Sequence, residues 1–242
     1  MRARGFTLIE MIVTIIIVAV ISLGVAGFLE FGTLGFAQTV ERQKLHTQAQ
    51  FILQKMSREL RHAVPNSIKV EDNCIGFYPI KYSGFYRLSG ASSSYTLDFI
   101  SGQEGLPTVY AANYFMVINP TSREFIENEE NRISLDGIEI VDSKSQVSLD
   151  EPLLTDSVAN RHYITDEAKD YCFDQGSGLL RRKLHSAPVG TGDIVADSIQ
   201  SMSFDFSSAN LVRGGLVHFE MVMNYRDEQA TYQQEVQVLN VP

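Results

Sequence analysis

Between Phe6 and Phe31 the chain carries only two ionisable residues, Glu10 and Glu30. No other feature limits its folding choices as much. The run exceeds the roughly 20 apolar residues that a helix needs to cross a bilayer. Arg2 and Arg4 precede it, and acidic or neutral residues follow. The positive-inside rule therefore keeps the N-terminus in the cytoplasm and sends the remainder across. A secretory signal would have a short apolar region and a small-residue cleavage site. This run is too long for that, and Ser22-Leu23-Gly24-Val25-Ala26-Gly27 is a mediocre site. A plain membrane anchor explains everything except Glu10. A carboxylate in the apolar phase is costly, which argues for a function. The alternative is an interfacial Glu10 that is solvated or protonated.

The residues around Glu10 carry a resemblance. Gly5-Phe6-Thr7-Leu8-Ile9-Glu10 follows a short basic leader and precedes an apolar run. This resembles the type IV prepilin signature. The resemblance implies that a prepilin peptidase cuts after Gly5 and methylates the new terminal amine of Phe6. The apolar helix then stays in the mature protein. It also implies that Glu10, fifth after the cut, pairs with the terminal amine of a neighbouring subunit. A buried ion pair of that kind sets register.

From Phe6 to Val64 nothing forbids one long helix, because all 7 prolines lie at or after Pro65. Leu45, Ala49, Ile52, Leu53, Met56 and Leu60 recur at helical spacing and define one apolar face. That face is expected to pack on a sheet. Pro65-Asn66 is a natural stop. Gly24, Gly27, Gly32 and Gly35 either soften the helix or let helices approach closely.

After Asn66 the period changes to short alternating runs. Expected strands are Ser67–Glu71, Cys74–Ile80, Tyr95–Ile100, Tyr114–Ile118, Ile133–Val141, Tyr171–Phe173 and Leu179–Leu184. Asp174-Gln175-Gly176-Ser177-Gly178 reads as a hairpin loop. Met202–Phe206, Val217–Tyr225 and Tyr232–Val238 alternate most clearly. Residues 84–94, 119–132 and 144–160 are polar and read as loops. The expected fold class is α+β: a long N-terminal helix packed on an antiparallel β-sheet head, pilin-like. The expected division is a leader at 1–5, a transmembrane helix at 6–31, its amphipathic continuation at 32–65 and a periplasmic β-rich head at 66–242.

Candidate chemistry is sparse. His46, His62, His162, His185 and His218 form no HExxH motif and no pair at metal spacing. There is no GxSxG elbow. Gly190-Thr191-Gly192 lacks the third glycine of a phosphate loop and reads as a turn. Ser143–Asp150 is rich in oxygen ligands but does not fit an EF-hand. No enzyme activity, metal or cofactor is expected. A net charge of −9 argues against nucleic acid. Cys74 and Cys172 are the only cysteines. The topology puts both in an oxidising compartment, where they would pair. The alternative is two buried free thiols acting as small apolar residues.

Leu60-Arg61-His62-Ala63-Val64-Pro65-Asn66-Ser67-Ile68, and Tyr171-Cys172-Phe173 before the Gly-rich hairpin, are similar to MshO-like minor pilins of the mannose-sensitive haemagglutinin pilus. The same plan occurs in PilW-like minor pilins and in J-type pseudopilins of type II secretion. The resemblance implies a single-pass inner-membrane protein with an outer domain in the periplasm or at the pilus tip. Its partners would be membrane lipid, prepilin peptidase, other minor and major pilins and the inner-membrane assembly platform.

Overall fold

A computed structural model describes residues 7–91, 94–102, 106–208, 214–225 and 228–238. The chain divides into two compact units, Met1–Thr47 and Gln48–Pro242. Helix α1 runs Leu8–Arg61. In the first unit, large apolar side chains from Leu8 to Phe36 are exposed.

In the second unit, Ala49, Ile52, Met56 and Leu60 of α1 are fully buried, while Leu53 is only half-buried. Two polar contacts fix this part of the helix. Arg182 donates to Glu59 at 2.8 Å, and the Gln48 amide donates to Asp197 Oδ1 at 3.1 Å. The helix ends four residues before Pro65. A turn follows, with the Ser67 N–H donating to the Val64 carbonyl and Asn66 at φ 58°. Asparagine tolerates that left-handed region, and its side chain is held by the Pro120 carbonyl at 2.8 Å.

The strands form three antiparallel sheets. The first contains β1 (Lys69–Glu71), β2 (Cys74–Phe77), β9 (Lys169–Asp174), β10 (Leu179–Leu184) and β11 (Asp193–Ala196), in the order β1-β2-β9-β10-β11. The second contains β3 (Tyr82–Ala91), β4 (Ser94–Ser101), β5 (Phe115–Ile118), β6 (Ile133–Ser134), β7 (Lys144–Leu149) and β8 (Arg161–Thr165), in the order β6-β5-β8-β3-β4-β7. The third is β12 (Ile199–Ser207), β13 (Gly215–Tyr225) and β14 (Glu228–Val238) in chain order. The six strands of the second sheet all lie, in sequence, between β2 and β9 of the first.

The six-stranded sheet has two apolar sides. Tyr86, Leu97, Phe99, Met116, Ile118 and Ile164 anchor one cluster, closed by Tyr110 and Leu135. Val117 and Tyr163 face the other way and pack with Val64, Tyr78, Ile126 and Ala168. His162 is fully buried in the first layer, edge-on to Phe99. Neither ring nitrogen has a hydrogen-bond partner among the described residues, and burial pushes its pKa down to about 4.

Buried charge is paired elsewhere. Asp170 accepts from Lys183 Nζ at 3.2 Å and lies 2.9 Å from His185 Nδ1. Lys183 also donates to the Leu184, His185 and Ala187 carbonyls, pinning the chain after β10. Gly76 is required beneath this cluster, because a Cβ there would lie 2.6 Å from Asp170 Oδ1. Arg123 binds Glu127 and the Ser67 carbonyl and lies over the Tyr78 ring.

Three loop expectations fail. Residues 84–91 belong to β3, and residues 144–149 form β7. Within 119–132 lie a short helix, α2 (Arg123–Glu127), and a 3-10 turn (Glu129–Asn131). Ser122 caps α2 by accepting from the Phe125 N–H at 3.1 Å. The expected strand 133–141 is cut short at Ser134, because the chain turns at Gly137 with φ 72°. Beyond that point only isolated bridges form, at Glu139 and Val141. The Asp174–Gly178 hairpin forms as expected. Asp174 accepts from the Gly176 N–H and the Ser177 hydroxyl, and Gly178 takes φ 66°. Gly190-Thr191-Gly192 forms a turn, with Thr191 bonded back to the Pro188 carbonyl.

Candidate assembly site

Thr7 opens α1. Its carbonyl accepts from the Met11 N–H at 3.3 Å, and its hydroxyl accepts from the Glu10 N–H at 3.4 Å. Thr7 is therefore the N-cap and Glu10 the third helical residue. Thr-x-x-Glu is the sequence form of a capping box. At this place the Glu10 carboxylate also complements the positive end of the helix dipole. The pattern was visible in Thr7-Leu8-Ile9-Glu10, yet reading Glu10 only as an assembly residue passes over it. Gly5 and Phe6, the expected cleavage and methylation positions, lie outside the described residues.

Downstream, three threonine hydroxyls close on their own helix. Thr14 donates to the Met11 carbonyl, Thr33 to Glu30 and Thr39 to Gly35. Such bonds remove the cost of carrying a hydroxyl into hydrocarbon. A Cβ added at Gly24, Gly27, Gly32 or Gly35 would meet no atom within 4 Å. No contact among the described residues therefore requires glycine at these four places. The helix is long and apolar enough to cross a membrane, and none of its most apolar window is buried within the chain. An exposed apolar surface of this extent needs either lipid or other helices.

The cysteine expectation is met. Cys74 of β2 and Cys172 of β9 are directly opposed in register and disulfide-bonded, with Cα atoms 4.1 Å apart. The Phe173 N–H donates to the Asn73 carbonyl beside them, so this is the close, non-hydrogen-bonded kind of antiparallel pair. The bond spans 98 residues and encloses the whole six-stranded sheet. Sequence reasoning put the pair in two strands but did not foresee that a second sheet would lie between them.

Among the described residues no group of three or more His, Cys, Asp or Glu side chains is placed to hold a metal ion. His62 is exposed, with ring Nδ1 2.9 Å from the Arg58 carbonyl.

Residues 1–26 match the prokaryotic N-terminal methylation motif. No curated protein and no solved structure matches the chain. The motif stands at the head of a membrane-length helix, and that helix runs into an antiparallel β-sheet domain. Together these features support a type IV pilin-like role in a pilus or pseudopilus.

Proposed function

We propose that this chain is a minor type IV pilin that primes pilus assembly, of the kind that serves mannose-sensitive haemagglutinin pili. The observation that carries the reading is the methylation motif at the start of a 54-residue helix joined to a large β-rich unit. Major pilins are usually smaller, and large heads are typical of subunits that prime or cap a filament.

In this reading the prepilin peptidase removes residues 1–5 and methylates the Phe6 amine. Residues 6–31 then hold the subunit in the inner membrane, with residues 66–242 in the periplasm. The Glu10 carboxylate, costly alone in lipid, is compensated when the cationic terminus of a neighbouring subunit approaches it. Minor subunits gathered in this way form a nucleus, and the assembly platform adds major pilins beneath it. The work is association, with no reaction catalysed. A J-type pseudopilin of type II secretion has the same physics and differs only in the system around it. A tip adhesin would use the head to bind a surface.

Deleting the gene separates these readings. Loss of surface pili, restored by the wild-type gene, supports priming. Normal pili with trapped exoproteins would replace it with secretion, and normal pili with lost attachment would replace it with adhesion.

A further inference from the structure

The chain is acidic, and its less exposed cations are generally neutralised. Arg123 sits on Glu127, Arg182 on Glu59, Lys81 on Asp166 and Lys183 on Asp170. Arg132 departs from this pattern, satisfied by the Ile126 carbonyl and the Tyr78 hydroxyl, and so does one crevice. This crevice, of about 590 Å³, lies where the end of α1 meets β8, wholly within the second unit. Arg61, His62 and Arg161 line it, with Pro65, Ile80 and Tyr163 as its apolar wall, and no carboxylate is among its lining residues. Among the described residues neither Arg61 nor Arg161 forms an ion pair.

The lining is held in place by backbone bonds. The Arg161 N–H donates to Ser157 Oγ at 3.1 Å, and its guanidinium interacts with the buried Tyr163 phenol. A guanidinium has five donors in a fixed fork, so most remain for another partner. The His62 carbonyl accepts from the Ile80 N–H at 2.9 Å. A carbonyl can only accept, so His62 Nδ1 carries the hydrogen toward Arg58. A neighbouring hollow of about 410 Å³ shares Arg161 and Tyr163 and adds the half-exposed side chains of Phe85 and Ile100.

From this we infer that the crevice binds a small organic carboxylate with an apolar body. The acid group is taken by the Arg161 and Arg61 guanidiniums, and the body lies against Ile80, Pro65 and Tyr163. The volume is that of a small-molecule site, and charge-assisted pairing of carboxylate with guanidinium sets the orientation. The inference is independent of the pilus reading, because it uses only the head.

The test uses the full chain in detergent micelles, labelled with 15N-arginine. Benzoate, acetate and the neutral isostere benzamide are titrated while the arginine Nε–Hε signals are followed by NMR. Benzoate is expected to shift the Arg161 and Arg61 signals saturably, with acetate weaker and benzamide silent. Arg161→Gln should weaken benzoate by about tenfold or more, the scale of one lost charge-assisted contact. Arg61→Gln, at an exposed helix end, repeats the test where folding is not at stake, and Arg181→Gln should change nothing. No saturable benzoate shift, equal shifts from benzamide, or unchanged affinity in both crevice variants would overturn the inference.

Discussion

The two units treat the same kind of residue in opposite ways. In the first, Ile15, Ile16 and Ile17 are all more than half exposed. In the second, Phe77, Phe219, Ile52 and Leu135 have no exposure at all. The second unit is stabilised by burial in water, at roughly 25 cal/mol per Å². The first gains nothing that way until lipid or other helices supply an apolar surround. A chain built like this is stable by itself in one unit and needs an apolar surround in the other.

The difference predicts unequal responses to the same substitution. Phe219→Ala should destabilise the second unit by about 3–5 kcal/mol, whereas Ile17→Ala should leave it within about 0.5 kcal/mol. All ten tyrosines lie beyond Thr47 and the chain has no tryptophan, so tyrosine fluorescence during denaturation reports the second unit alone. Equal losses from the two variants would erase the contrast.

Next in size is the disulfide. Replacing both Cys74 and Cys172 by alanine should cost about 2–4 kcal/mol in the same assay, with about 4.7 kcal/mol as the chain-entropy ceiling for a loop near this length. The loss should fall on the second unit and leave the helical signal of the first. Mass measurement with a thiol-blocking reagent checks the premise, since neither thiol should take label before reduction.

A smaller effect, on the order of 3 kcal/mol at most, comes from His162. Its folded pKa, about 4, lies below the ordinary value of 6.5, so between those values the unfolded chain binds more protons than the folded one. Stability therefore rises with pH through that window. It is complete above about 6.5 and is lost as pH falls toward 4. His162→Leu removes the titration and should flatten this part of the pH profile. A His162→Leu profile as steep as the parent's would show that other groups carry it.

The smallest change tests the capping reading of the first unit. Thr7→Ala should cost about 1 kcal/mol at the first turn of α1. Hydrogen exchange in micelles should quicken at the first helical amides and nowhere in the second unit. Unchanged exchange there would remove the cap.

These contrasts also explain how far the sequence could be read. The helix was legible because its period, its N-terminal flank and its Pro65-Asn66 stop agree. The hairpin after β9 was legible because Asp174 and Gly178 have turn chemistry in fixed places. β3 was not. Its Ser-Gly-rich composition reads as loop, and aromatic side chains on both faces, Phe85 outward and Tyr86 inward, mask the alternation. Gly84 is there for close packing, since a Cβ would meet the Ile100 carbonyl at 1.8 Å. In β7 the inward residues are Ser145, Val147 and Leu149, too polar a set to announce a strand. The candidate site was legible as a motif, because residues 1–26 carry it in one contiguous stretch of sequence. The cationic crevice was not, because Arg61 and Arg161 are 100 positions apart and line it together only once β8 pairs with β3 and Ala63 bridges to Pro79.

The central claim is that the apolar helix is kept and its start is made by processing. Protein extracted from membranes of cells that carry the prepilin peptidase should be sequenced from its N-terminus and weighed. A terminus at N-methylated Phe6 is the predicted result. A terminus at Met1, or one beyond Gly24, would contradict it.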